Sequence, residues 1–216
     1  MKYRTARKVR VVLPQAALTA IFDECDRFNE DETGGRVIGY YSADPGGRLT
    51  IHVTGIIDSG SQTRRSPVSL FQDGRYQEGV FRAIERVHAE IEHLGNWHTH
   101  HVNGLHELSA GDVATYQRTV NHRLHNTSFF YALLVTSKRK SMNPLSRYRI
   151  KHYLFRRGDD HVYRIARSRI RIVNEALVWP ISVKVVTGQC SPARPKAGPQ
   201  HVRIDGREFV NVRYTH

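Results

Sequence analysis

Segments with helical periodicity alternate with strand-like segments along most of this chain, and that alternation constrains its fold more than any other feature. Pro14 suits the first turn of a helix, and Leu18, Ile21, Cys25 and Phe28 recur at helical spacing up to about Asn29. Val37 to Tyr41 and Leu49 to Ile57 read as strands, joined through the turn at Pro45-Gly46-Gly47 into a hairpin. Residues 58–70, rich in Ser, Arg, Gly and Pro, read as a loop. Tyr76, Val80, Ile84, Val87, Ile91 and Leu94 then mark the apolar stripe of a long helix that Gly95 is placed to end. Trp97-His98-Thr99-His100 reads as a short strand, residues 101–108 as a loop, Ser109 as the cap of a helix running to about His122, and Phe129 to Thr136 as a strongly apolar strand. A helix between successive strands predicts an α/β or α+β layer built on one sheet.

The 216 residues suffice for one substantial core with an appendage. From Leu145 onward the sequence looks β-rich, which predicts a core domain over 8–157 and a basic β-rich extension over 158–216, with residues 187–200 as a linker or exposed loop. The net charge of +13 points to an anionic partner. Between Lys138 and Arg171 stand twelve Lys or Arg and two acids, Asp159 and Asp160, so this stretch carries +10 of the total. Arg147, Arg149 and Lys151 alternate with Tyr148, Ile150 and His152, and Arg167, Arg169 and Arg171 alternate with Ser168, Ile170 and Ile172. Such alternation places the charge on one strand face, either as an ordinary solvated surface or as a docking surface for an acidic protein or nucleic acid. No run approaches the roughly 18 apolar residues of a membrane span, and the basic start lacks the apolar run and cleavage site of a secretory signal. A cytoplasmic location without membrane contact is therefore expected.

The only cysteines, Cys25 and Cys190, form no C-x-x-C, so any metal must be held by histidine and carboxylate. Cys25 falls on the apolar stripe of the first helix and reads as a small buried hydrophobe. His98 and His100, one residue apart on a strand, project from the same face and can reach one ion. Asp112, in the first turn of the following helix, completes a set of two histidines and one carboxylate that leaves a coordination position open. Ser109-x-x-Asp112 also reads as a capping box, and the two uses compete for one carboxylate. His101 and His106 are rival ligands, although His101 points to the opposite face if the strand continues through it.

His98-Thr99-His100, Ser109 and Asp112 resemble the His-x-His…Ser-x-x-Asp signature of JAMM metallopeptidases, also called the JAB or MPN domain. Glu32, in Glu32-Thr33-Gly34-Gly35-Arg36-Val37-Ile38-Gly39, resembles that family's upstream glutamate. Phe71 and Asp73 resemble residues at the border of its substrate groove, with packing and helix capping as an equal reading. The resemblance covers roughly residues 10–157. Two features differ: His101 stands where the family usually has proline, and the loop to Ser109 is one residue longer. Trp97-His98-Thr99-His100-His101 followed by Asn103-Gly104-Leu105 is similar to a stand-alone prokaryotic branch.

The resemblance implies an MPN/JAB-like mixed sheet flanked by helices. It implies one Zn2+ per chain on His98, His100 and Asp112, with Glu32 as general base and acid and Ser109 as oxyanion donor. The implied reaction is hydrolysis of the amide or isopeptide bond after the C-terminal tail of a ubiquitin-like protein, as deconjugation or precursor processing. Its implied setting is a prokaryotic ubiquitin-like conjugation or antiviral defence system, with ubiquitin-like proteins, their conjugates and their activating or conjugating enzymes as partners. The alternative is a non-catalytic module of the same fold whose basic region contacts nucleic acid or an acidic protein.

Overall fold

The computed structural model describes residues 2–137, 147–175 and 177, together with the backbone of residues 200–204 and 207–211. The elements run β1 (Arg4–Thr5), β2 (Val9–Pro14), α1 (Gln15–Arg27), β3 (Gly34–Ala43), β4 (Leu49–Asp58), β5 (Arg64–Ser66), β6 (Ser69–Phe71), α2 (Gly74–Glu85) and β7 (Glu92–Thr99). They continue as α3 (Ala110–Asn121), β8 (Phe129–Ser137), β9 (Tyr148–Arg156), β10 (Asp159–Ile165), β11 (Ile170–Val173), β12 (Gln200–Ile204) and β13 (Arg207–Asn211).

Nine of these strands form one mixed sheet in the order β1-β10-β9-β8-β7-β3-β4-β2-β11, as an α/β reading requires. β3 and β4 pair antiparallel as the expected hairpin. β7 and β8 pair parallel, with α3 as the crossover between them. β8 is the strand most enclosed by the fold, and its side chains alternate between two cores: Phe129, Tyr131, Leu133 and Val135 on one side, Phe130, Ala132 and Leu134 on the other. The first core is closed by α1 through Ala17, Leu18, Ile21 and the free, buried Cys25. On the opposite face α3 contributes Tyr116 and Val120, and α2 contributes Phe81 and Ile84.

Four sequence expectations need correction. The helix read as running from Tyr76 to Leu94 ends at Glu85, where Val87 is already exposed, and Ile91 and Leu94 belong to the strand approach and strand. The cause is a bulge: Val37 pairs with Gly95 but Ile38 with His93, so Leu94 is an extra residue that shifts the alternation and mimics helical spacing. Gly95 accordingly sits inside β7 and does not end a helix. Residues 58–70 contain the short antiparallel hairpin of β5 and β6, and Val9–Pro14, left without an element in the sequence, is a strand. Arg167–Arg169 form a 3-10 turn, so the second basic alternation reaches a strand only at Ile170, where β11 pairs parallel with β2. Asp73 caps α2 through Tyr76 N at 3.0 Å, while Phe71 is exposed. The stretches 187–199 and 138–146, with Cys190, lie outside the described residues. No helix among the described residues is long and apolar enough to cross a membrane.

A Cβ at position 95 would lie 1.7 Å from the Tyr131 carbonyl oxygen, inside the parallel β7–β8 ladder. Backbone, unlike a flexible side chain, cannot yield there without breaking the sheet. Gly95→Ala is therefore expected to destabilise the protein by about 3 kcal/mol or more, read as a lower midpoint in denaturant unfolding; an unchanged midpoint would contradict this packing.

Candidate metal centre

The centre forms where three neighbouring segments end. His98 lies in β7, and His100 N still donates to Val135 O at 2.8 Å, so the ladder with β8 carries one step past the last strand residue. This keeps the two imidazoles on one side of the sheet, with Nε2 atoms 3.2 Å apart. α3 starts nearby with Ser109 as its cap and Asp112 in its first turn. Asp112 Oδ1 is 3.4 Å from His98 Nε2, and Oδ2 is 3.3 Å from His100 Nε2. One ligand atom from each of His98, His100 and Asp112 lies within 4.8 Å of the other two, an arrangement that could hold a metal ion.

The carboxylate does not have to choose between cap and ligand. Asp112 Oδ2 accepts from Ser109 N and from Ser109 Oγ, both at 2.7 Å, and Asp112 N donates to Ser109 Oγ at 3.1 Å. The capping box thus holds the carboxylate in the direction that also faces the histidines. Burial raises the Asp112 carboxyl, but the His100 and His98 imidazoles and the Ser109 donor beside it outweigh burial and hold the group well below the ordinary carboxylate range.

Glu32 reaches the same place from the start of β3. Thr33 N donates to Thr99 Oγ1 and Thr99 N to Thr33 O, each at 2.9 Å, while Glu32 N donates to Ser66 O at 3.0 Å. The buried Glu32 carboxylate lies 3.7 Å from His100 Nε2 and accepts from Asn103 Nδ2 at 2.6 Å. Burial pushes its carboxyl up to about 7, against the opposing pull of His100.

The donor chemistry fits a cation. His100 Nδ1 faces the Glu107 carbonyl at 3.0 Å, and a carbonyl only accepts, so in the neutral ring Nδ1 carries the hydrogen and Nε2 a lone pair. That lone pair looks toward two carboxylates and another ring nitrogen, where a positive ion relieves the repulsion. His98 Nδ1 pairs with Tyr116 Oη at 2.9 Å, which can accept its N–H and leave Nε2 free to ligate. Tyr116 was not singled out by the sequence, although it stands four residues after Asp112 and so on the same helix face. The sequence marks Asn103 only as part of the Asn103-Gly104-Leu105 resemblance, without a role, and Glu107 carries no recognisable signal beyond its place in the loop. The rival histidines are elsewhere: His101 Nε2 bonds Phe28 O at 3.0 Å on the α1 side, and His106 lies outside the ligand group.

No protein-family model matches the chain. Over 89 residues it is 28% identical to a probable metalloprotease of Sinorhizobium fredii, a match covering 41% of this chain and 52% of that protein. The chain thus spans about half the length of this curated relative. A solution structure of a protein from Desulfitobacterium hafniense superposes with a TM-score of 0.53 at 18% identity, covering 77% of this chain and 94% of that one, a likeness of fold.

Because its hydroxyl pairs with His98 Nδ1 and not with the Nε2 that would ligate, Tyr116→Phe is expected to keep the fold and weaken metal affinity about 10–100-fold. Competition with a chromophoric chelator measures this; wild-type affinity would show that Tyr116 only packs.

Proposed function

We propose that this chain is a zinc-dependent peptidase of the JAMM type, acting on the amide or isopeptide bond that follows the C-terminal tail of a ubiquitin-like protein. The observation that carries the reading is the convergence of His98, His100 and Asp112 with a buried Glu32 carboxylate 3.7 Å from His100 Nε2. Two histidines and one carboxylate, with a position left open, are a ligand set of catalytic zinc. The similarity to a probable metalloprotease supports the reaction class, and the resemblance to the JAMM signature supports the substrate class.

Zinc, when bound, supplies Lewis acidity to a water and to the scissile carbonyl. The chain's own residues handle the protons. Glu32 accepts the proton of the attacking water and returns it to the leaving amine, a task for which a carboxyl near neutrality is matched. Asn103, donating to Glu32 Oε1, keeps that oxygen directed into the centre. Ser109 Oγ, which donates to Asp112 in the resting arrangement, turns to donate to the oxyanion, a contribution worth roughly 3 kcal/mol in other hydrolases.

The deciding experiment pairs metal analysis with cleavage of a ubiquitin-like fusion protein. Purified wild type is expected to carry about one zinc, lost in the His98→Ala, His100→Ala double variant; equal content in both would refute the metal reading. Glu32→Gln is expected to retain zinc and lower turnover by about 10²–10⁴-fold, since the amide cannot take the proton. Cleavage by this variant at the wild-type rate would move the base elsewhere.

Asp112→Ala and Ser109→Ala separate ligand from cap. The first is expected to lose zinc and the second to keep it with reduced turnover, because one removes a ligand and the other only a donor beside it. Metal analysis of both variants gives the answer, and the reverse order would make Asp112 a capping residue alone.

A further inference from the structure

The basic, β-rich half of the chain touches the metal centre through a residue that no motif marks. Glu107 offers its backbone carbonyl to His100 Nδ1 at 3.0 Å. Its carboxylate is held by two strands at once: Lys151 Nζ of β9 donates to Oε1 at 2.6 Å, Tyr153 Oη of β9 to Oε2 at 2.5 Å, and the Arg164 guanidinium of β10 to Oε2. Lys151 also donates to the His106 carbonyl, and Leu108 is buried in the core beside α3. The guanidinium of Arg164 lies 4.8 Å from the ring centre of Tyr3 and 5.7 Å from that of Tyr153, which fixes its own direction.

Side-chain exposures of 24% for Lys151, 42% for Arg164 and 39% for Glu107 make these partly solvated ion pairs. Pairs of this kind add little to global stability. Their effect is local: they fix the end of the 101–108 loop, whose carbonyl sets the orientation and tautomer of the His100 ring. If that carbonyl shifts, the ring can turn or carry its hydrogen on Nε2, and either change takes the Nε2 lone pair away from His98 and Asp112.

We propose that Glu107 is a positioning residue for His100, and that Lys151, Tyr153 and Arg164 form the clamp that holds it there. The inference rests on His98, His100 and Asp112 being metal ligands. It gives part of the chain's positive charge an internal task, distinct from the docking of a partner.

The test uses the full chain and the variants Glu107→Ala, Glu107→Gln and Lys151→Met. Zinc affinity is measured by chelator competition, and the His100 tautomer by nitrogen-15 NMR of the metal-free protein. Glu107→Ala is expected to lower zinc affinity about 10–100-fold and to lose the Nδ1–H form of His100. Lys151→Met should fall between it and wild type, and also covers the case in which Glu107→Ala does not fold. Glu107→Gln, whose single amide oxygen can accept from Lys151 or from Tyr153 and Arg164 but not from both arms, should recover part of the affinity lost in Glu107→Ala. Zinc affinity within about twofold of wild type in Glu107→Ala and Lys151→Met, well short of the loss expected when a ligand's partner is removed, with Nδ1 still protonated, would overturn the proposal and leave the metal site standing. Failure of wild type itself to bind zinc would instead remove the metal reading, and the clamp's role with it.

Discussion

The rest of the centre depends on how closely β3 runs between β4 and β7. A Cβ at Gly35 would fall 2.0 Å from the Ile57 carbonyl oxygen and 2.7 Å from Trp97 Nε1, and one at Gly34 would fall 2.6 Å from the Trp97 carbonyl oxygen. Only glycine permits that approach. It lets Gly34 pair with His98 and Gly35 with Trp97, and the next residue outward, Thr33, then locks onto Thr99 through both of its backbone groups. The backbone of Glu32 is thereby brought to the edge of the centre, and its carboxylate, held by Asn103, stands beside His100. Two residues without side chains thus decide where a charged one stands.

Electrostatic order in the centre comes from the histidines and the cap of α3 together. Asp112 stands in the first turn of α3, where the positive dipole end of the helix favours its ionised form. The capping box fixes that carboxylate before any ion arrives, since Ser109 holds it through two donors. An ion entering such a site finds ligands already oriented and costs little reorganisation. Glu32 has the opposite environment, buried with a single side-chain donor, and stays close to giving up or keeping its proton. Two carboxylates that both approach His100 Nε2 therefore differ in how readily they hold a proton, because their surroundings differ.

The polar residues of the centre were legible in the sequence because their spacing is short and regular: His98 and His100 at strand period, Ser109 and Asp112 at the first turn of a helix. The strands of the hairpin and the apolar β8 were equally plain. β7 was not, because the bulge at Leu94 hides its period and its upstream residues continue the stripe of α2. β2 escaped notice since its six residues mix basic and apolar positions within a charged terminus. Tyr116 and Asn103 join the centre only through contacts that depend on tertiary placement, Tyr116 to a strand and Asn103 across 71 positions to Glu32. Lys151 and Arg164 looked like members of a solvated basic face, and their pairing with Glu107 depends on which loop the sheet happens to meet.

The parallel pairing of β7 with β8 has a further consequence, for the order of assembly. His98 and His100 lie before the α3 crossover and Asp112 lies within it, so the ligand atoms converge only after β8 has returned to lie beside β7. Parallel pairing across a long connection is slow, because the loop must close before its contacts repay the lost entropy. During synthesis the chain must therefore emerge past Ser137 before the three ligands can meet. Any metal capture by His98, His100 and Asp112 would in this way be a late event, favouring chains that have already acquired the correct topology.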